Sequence, residues 1–159
     1  MSTHATIAYT DGARCSAIYL HADGSLSYAG AMLLQNYNTK ELAGALVALG
    51  DLSMLKKRLA PSKGEPHSFE NKAKDVTVAY CRDRDEPLNI RHYADTAISN
   101  ARSFFMRLAE MSGANYVYLF DEQKNQWLAG AAFKFTDREK EAFPAAELKT
   151  FYPLKTWFE

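Results

Sequence analysis

The chain is poor in cysteine, has no net charge, no long apolar run and no established catalytic signature, and each absence removes a class of function. Its 159 residues include two cysteines, Cys15 and Cys81. They lie far apart in apolar runs that read as strands, and neither belongs to a Cys-x-x-Cys pair, so a zinc knuckle is unsupported and two buried free thiols are expected. Free thiols imply a reducing compartment. Lys plus Arg and Asp plus Glu both number 19, for a formal net charge of zero. No global field then draws the chain toward nucleic acid or an anionic membrane surface. The mutual repulsion that keeps copies apart is also missing, which mildly favours a homo-oligomer. No stretch approaches about 18 apolar residues, and Met1 to Ala5 has neither the charged nor the apolar region of a secretion signal, so the expectation is a protein neither exported nor membrane-spanning. There is no Walker loop, no Gly-x-Gly-x-x-Gly, no His-Glu-x-x-His and no Gly-x-Ser-x-Gly. On this reading no catalytic residue is assigned, and no cofactor or metal is required.

Aromatic surface is what the chain has in quantity. Nine Phe, nine Tyr and two Trp stand among 47% hydrophobic residues, enough large apolar area for one core and an interface. The expected organisation is a single α+β domain over 1–159, built on a mainly antiparallel sheet of about five strands with helices packed on it. Thr3 to Thr10 and Arg14 to His21 are β-prone and flank Asp11-Gly12-Ala13, which predicts an opening hairpin. Helical spacing appears from about Tyr28 to Tyr37 and from Lys40 to Leu49, with Asn38 or Thr39 as the cap of the second helix and Gly50 closing it. Asp51 to Leu55 reads as one short extra turn. Lys56 to Lys74 is basic, with Pro61, Gly64 and Pro66, and reads mostly as an exposed loop.

Further along, Val76 to Arg82 reads as a strand ended by a charged stretch and Pro87, and Asn89 to Tyr93 as a short edge piece. Asp95 or Thr96 caps the strongest helix, whose stripe is Ile98, Ala101, Phe105, Leu108 and Met111, stopped by Gly113. Tyr116 to Phe120 and Trp127 to Phe135 form a closing hairpin, and Thr136 starts a short charged helix that Pro144 breaks. The tail carries Phe151, Tyr152, Trp157 and Phe158, too much apolar area to leave in water. Residues 133–159 therefore read as a C-terminal extension that docks on the domain or on a partner.

Three groups of polar residues stand at predicted strand ends. His21 and Asp23, in His21-Ala22-Asp23-Gly24, could share a face and ligate a metal or set up a general base, with His67 as a third member, but the same four residues make an ordinary Asx turn. In Arg82-Asp83-Arg84-Asp85-Glu86, an extended chain would put Arg82 and Arg84 on one side, suited to a phosphate or carboxylate. Alternating signs equally describe a self-neutralising surface network. Lys56, Lys57 and Arg58, with Lys63, Lys72 and Lys74, could steer a polyanion or simply solvate a loop.

These blocks, taken in order, resemble a family of small, mostly uncharacterised proteins carried by tailed phages and prophages. The resemblance runs through Ser2 to Ile7, Ile18 to Gly24, Leu33 to Tyr37, Leu49-Gly50-Asp51-Leu52-Ser53, His67-Ser68-Phe69, Tyr80 to Glu86, and Tyr116 to Phe120 with Trp127. The chain departs from the pattern at Ala22 and Ser25, where aromatics are usual, and at Asp85, where glycine is usual. The segment from Phe133 to Glu159 extends beyond the typical member. The resemblance implies a phage origin and the host cytoplasm, and it implies no reaction. By analogy with other small phage proteins it implies a non-catalytic inhibitor or modulator of a host protein, with defence targets such as CRISPR effectors in view. The alternatives are a small-nucleotide binder or hydrolase using Arg82, Arg84 and His67 on phosphates, and a nucleic-acid-binding protein, which zero net charge ranks last.

Overall fold

The structure, a computed structural model, describes residues 3–94 and 101–159. β1 (Ala5–Thr10) and β2 (Arg14–Leu20) pair antiparallel from Ala5↔Leu20 to Thr10↔Cys15. Asp11 makes their turn, its Oδ1 accepting from the amides of Ala13 and Arg14 at 2.8 Å each, as short carboxylates do in tight connections. A π-helical turn over Leu26–Gly30 runs into α1 (Ala31–Asn36), and α2 (Lys40–Val47) follows with the Thr39 hydroxyl accepting from the Leu42 amide. Residues 51–55 are not the extra turn that the sequence suggests. Leu52–Met54 forms β3 instead, lying parallel to β2 at Leu20↔Leu52 and taking β4 (Val78–Ala79) on its other side.

α3 (Tyr80–Arg84), β5 (Arg91–Ala94) and α4 (Ala101–Ser112) come next. The second hairpin is β6 (Tyr116–Asp121) with β7 (Gln126–Ala131), and α5 (Asp137–Ala142), β8 (Tyr152–Pro153) and a closing 3-10 turn over Leu154–Phe158 complete the chain. Among the described residues the strand order is β4-β3-β2-β1-β6-β7-β8, with β5 also on β2, in one eight-stranded sheet. The α+β class therefore stands, but the sheet is mixed and larger than the mainly antiparallel, five-stranded one expected. Its central pair is parallel: β6 lies along β1 from Ala5↔Tyr116 to Thr10↔Asp121. A helix stands between β5 and β6 in the chain, and a crossover of that kind delivers the next strand in the same direction, whereas a tight turn reverses it.

Alternation along the strands then defines two cores. Ile7, Ile18, Tyr118, Phe120 and Trp127 pack with Leu33, Tyr37 and Leu46 on one face. Ala8, Ala17, Val117 and Leu119 pack on the other against Phe104, Phe105, Leu108 and Ala109 of α4. Phe105, Leu108 and Met111 of the predicted α4 stripe face this core, and Gly113 ends the helix at φ +62°. The expected caps Asp95 and Thr96, and the start of the stripe at Ile98, lie outside the described residues. Small residues of β1 and β2 let α4 approach closely, and the buried Thr6 hydroxyl donates to the Leu108 carbonyl at 2.7 Å, near the end of that helix.

The Val76–Arg82 strand is shorter than expected because β3 offers only three residues as partner. After Ala79 the chain turns into α3, and the Asp83 carboxylate reaches back to the Ala79 amide at 2.8 Å. Residues 56–75 hold almost no regular structure, yet polar contacts pin them. Tyr37 Oη donates to the Lys56 carbonyl at 2.6 Å, Thr77 Oγ1 accepts from the Lys56 amide at 2.9 Å, and Arg58 pairs with Glu65 at 2.6 Å.

Candidate functional site

The sequence candidates separate in the fold. His67 and Asp83 come together beneath the pinned loop, their side chains only 2% and 3% exposed and their nearest atoms 3.1 Å apart. The Ala73 amide donates to His67 Nδ1 at 2.9 Å, which fixes the proton on Nε2, facing the carboxylate. The Nε2–H lies off the ideal line to that oxygen, so the contact is mainly charge to dipole. Arg82 forks onto the same carboxylate at 2.8 and 3.0 Å and also donates to the carbonyls of Leu59 and Thr77 at 2.8 and 2.6 Å. Burial pushes the Asp83 carboxyl upward, but Arg82, the Ala79 amide and His67 outweigh it and hold it below the usual carboxylate range. His67 Nδ1 and the fork of Arg82 are thereby committed to holding the loop, while His67 Nε2 faces Asp83 without a well-aligned hydrogen bond.

Arg84 points elsewhere. In a helix, residues two apart do not share a side, so the extended-chain expectation for Arg82 and Arg84 fails once 80–84 is helical. Arg84 lies over the rings of Phe69 and Tyr80 at 4.4 and 5.1 Å and pairs with Glu86. Asp85 then takes a left-handed conformation at φ +55° as the C-cap of α3. Glycine would take this conformation without steric cost. Relief of the left-handed cost, less the extra entropy of glycine in the unfolded chain, should make Asp85→Gly more stable by about 0.5 kcal/mol. Chemical denaturation of the two proteins checks this.

The basic segment is dispersed as well. Lys57 pairs with Asp75 at 3.6 Å, Arg58 with Glu65, and Lys56 and Lys72 lie over Tyr28 and Phe69 at 5.9 and 5.0 Å. Among the described residues, no three His, Cys, Asp or Glu side chains gather closely enough to hold a metal ion. Cys15 is buried, and burial pushes its thiol up to about 12. Cys81 sits half-buried on α3 rather than on a strand.

His21 and Asp23 follow β2 in a turn. Asp23 takes the left-handed conformation at φ +58°, while Gly24 is needed for space: a Cβ there would meet Ala5 Cβ at 2.7 Å and the Thr3 carbonyl at 2.8 Å. The partner of His21 is a residue that sequence reasoning passed over. The pairing Ala5↔Leu20 and Thr6↔Tyr19, continued one step, brings His4 opposite His21, and the phenol of Tyr19 stands between them. Tyr19 Oη is 3.0 Å from His4 Nδ1 and 2.8 Å from His21 Nδ1, and His4 Nδ1 is 2.6 Å from the His21 carbonyl. A carbonyl only accepts, so His4 carries its proton on Nδ1 and the phenol donates to His21. The antiparallel register was the signal available in the sequence, since the two residues flank the predicted hairpin symmetrically.

A substantial cavity is formed by the C-terminal segment. β8 pairs with β7 at Leu128↔Pro153 and Ala129↔Tyr152, Leu154 is fully buried and Trp157 is 6% exposed. Phe151 turns to the α4 face, 4.8 Å from Phe105, while Tyr152 and Phe143 pack with Trp157 on the other face. Between this segment and the turn before α1 opens a pocket of about 550 Å³, lined by Ser25, Leu26, Ser27, Thr136, Arg138, Glu139, Ala142, Trp157 and Phe158. Thr136 and Glu139 form a reciprocal capping box that starts α5, and Glu139 also accepts from the Tyr116 phenol at 2.8 Å. Burial, with that carboxylate, drives the Tyr116 phenol well above its ordinary range. Phe158 remains 47% exposed at the rim. The pocket thus has an apolar floor and aromatic wall with hydroxyls and one charge of each sign at its edge, a combination that suits non-covalent recognition.

Compared with protein-family models, curated proteins and solved structures, the chain matches none.

Proposed function

We propose that the protein is a non-catalytic modulator that binds a protein of a bacterial host, in keeping with its resemblance to tailed-phage accessory proteins, and that the pocket beside Trp157 and Phe158 receives an apolar side chain of that partner. The observation that carries this reading is the pocket itself. It is large enough for one or two buried side chains, it is walled by aromatics, and a large apolar ring, Phe158, is left in water at its mouth. Aromatic residues around a desolvated pocket are where binding energy concentrates in protein interfaces. Defence complexes such as CRISPR effectors are the first targets to examine. The nucleotide reading draws less support, because Arg82 and His67 are occupied in the loop clasp and Arg84 lies apart from them.

The test is capture from host lysate with the wild-type chain and with Ala142→Trp, which fills the pocket from an exposed position on α5. A partner identified with the wild type should be lost with Ala142→Trp and weakened with Phe158→Ala, while both variants keep the wild-type circular dichroism. Titration of the purified partner should also change Trp157 emission in the wild type, at higher partner concentration in Phe158→Ala, and not in Ala142→Trp. Equal capture by all three proteins, or capture of no host protein, would overturn the reading.

A further inference from the structure

The meeting of His4, Tyr19 and His21 points to a second kind of site, independent of the pocket. Four potential donors converge there: two imidazole Nδ1 atoms, a phenol oxygen and the His21 carbonyl, with three of their separations lying between 2.6 and 3.0 Å. Metal bonds of about 2.0 Å at right angles place neighbouring donors about 2.8 Å apart, whereas tetrahedral angles place them about 3.3 Å apart. The observed separations are those of the hydrogen bonds now present and fit the shorter edge once a metal replaces the shared protons; the mixed imidazole and oxygen donor set is one that Cu(II) and Ni(II) take in tetragonal geometry. The imidazole rings lie side by side, centroids 5.1 Å apart at 30°, with both Nδ1 atoms toward the same phenol. All three groups are at least partly open to solvent. α4 ends over Thr6, the cross-strand partner of Tyr19, so the negative end of its dipole favours a cation in this neighbourhood.

We infer that His4, Tyr19 and His21 form a binding site for a divalent transition metal of tetragonal preference, Cu(II) or Ni(II), with the His21 carbonyl as a further oxygen ligand. On binding, His4 moves its proton from Nδ1 to Nε2, the phenol releases its proton to solvent, and the metal takes the place of the hydrogen bonds that now link the three groups. Asp23 and His67, grouped with His21 on sequence grounds, are not part of it: Asp23 turns the chain and His67 is buried in the loop clasp.

The experiment is titration of the intact protein with Cu(II), followed by visible absorption and electron paramagnetic resonance. One equivalent should bind with a phenolate-to-copper charge-transfer band. Tyr19→Phe, which removes one oxygen and no backbone contact, should abolish the band, and His21→Ala should weaken binding at least tenfold. Circular dichroism of both variants should match the wild type. Copper held without the band is an adventitious ion only, and that result overturns the proposal. A band that survives Tyr19→Phe, or unchanged affinity in His21→Ala, does so equally. If His21→Ala fails to fold, His21→Gln supplies the same comparison.

Discussion

Asp83→Asn should lower stability by about 3 kcal/mol at neutral pH. The Asp83 carboxylate accepts from the Ala79 amide and from two nitrogens of Arg82, and it faces the Nε2–H of His67. Every neighbour is a donor. An asparagine would offer an acceptor on one side only and turn an NH₂ group against donors on the other. It would also leave the partly buried Arg82 without its counter-charge, and removing one member of a buried pair costs about 3–5 kcal/mol; the partial exposure of Arg82, 27%, places the expectation at the low end of that range. The pH dependence has a definite sign. The folded carboxyl is held below its ordinary value, while in the unfolded chain it titrates near about 3.9. Its contribution is therefore fully present above the unfolded value and is lost as pH falls through the folded one. Urea denaturation should show the gap between wild type and variant at pH 7 and a smaller gap in acid below about pH 4. A gap that stays constant into acid would show that the carboxylate's charge is not what stabilises the clasp.

Gly130→Ala should cost about 2–3 kcal/mol and release the C-terminal segment first. The backbone of residues 148–153 crosses β7 at this glycine, with the Lys149 amide donating to the Ala131 carbonyl at 2.8 Å. A Cβ on residue 130 would collide with the Thr150 carbonyl and meet a Phe105 ring carbon at 2.9 Å. Backbone cannot move aside as a flexible side chain can, which places the cost toward the upper part of the range for overpacking. The atoms nearest the added Cβ belong to Thr150 and Phe105 and none to β1, β2 or β6, so the central sheet should persist while Leu154 and Trp157 lose their burial. Red-shifted Trp157 emission and faster proteolysis after α5, with Trp127 still in its apolar surroundings, are the expected signs. Because Trp157 and Phe158 wall the pocket, the same substitution should also abolish capture of the host partner. Retention of that partner by a protein with a released tail would count against the pocket as the binding site.

The elements that could be read from the sequence are those whose signals are local. Asp11-Gly12 between two β-prone runs marks the first hairpin, the spacing of Phe105 and Leu108 with Gly113 beyond them marks α4, and Thr136 marks the start of α5. Each depends on residues within a few positions of one another. The departures lie where a distant partner decides. Whether Leu52–Met54 becomes a turn or a strand depends on β2, and whether 80–84 continues as a strand depends on how much of β3 is left to pair with. The clasp joins His67 to Asp83, 16 positions away, and nothing in the local pattern distinguishes a buried, hydrogen-bonded histidine from a catalytic one.

For the candidate sites, the residue types were legible but not their groupings. His21 belongs with His4 and Tyr19 because antiparallel register pairs residues about a turn, and Arg82 parts from Arg84 because a helix replaces the extended chain. Propensity and periodicity, which act over short range, were enough to define a net-neutral, aromatic-rich α+β chain, its hairpins and its main helix. Only the tertiary structure decided that β6 lies parallel beside β1, that the basic loop is clasped by Asp83, and that the aromatic tail folds back to wall a pocket. Those outcomes arise from burial and backbone pairing between segments far apart in the chain, whose free energy depends on geometry that no single segment contains.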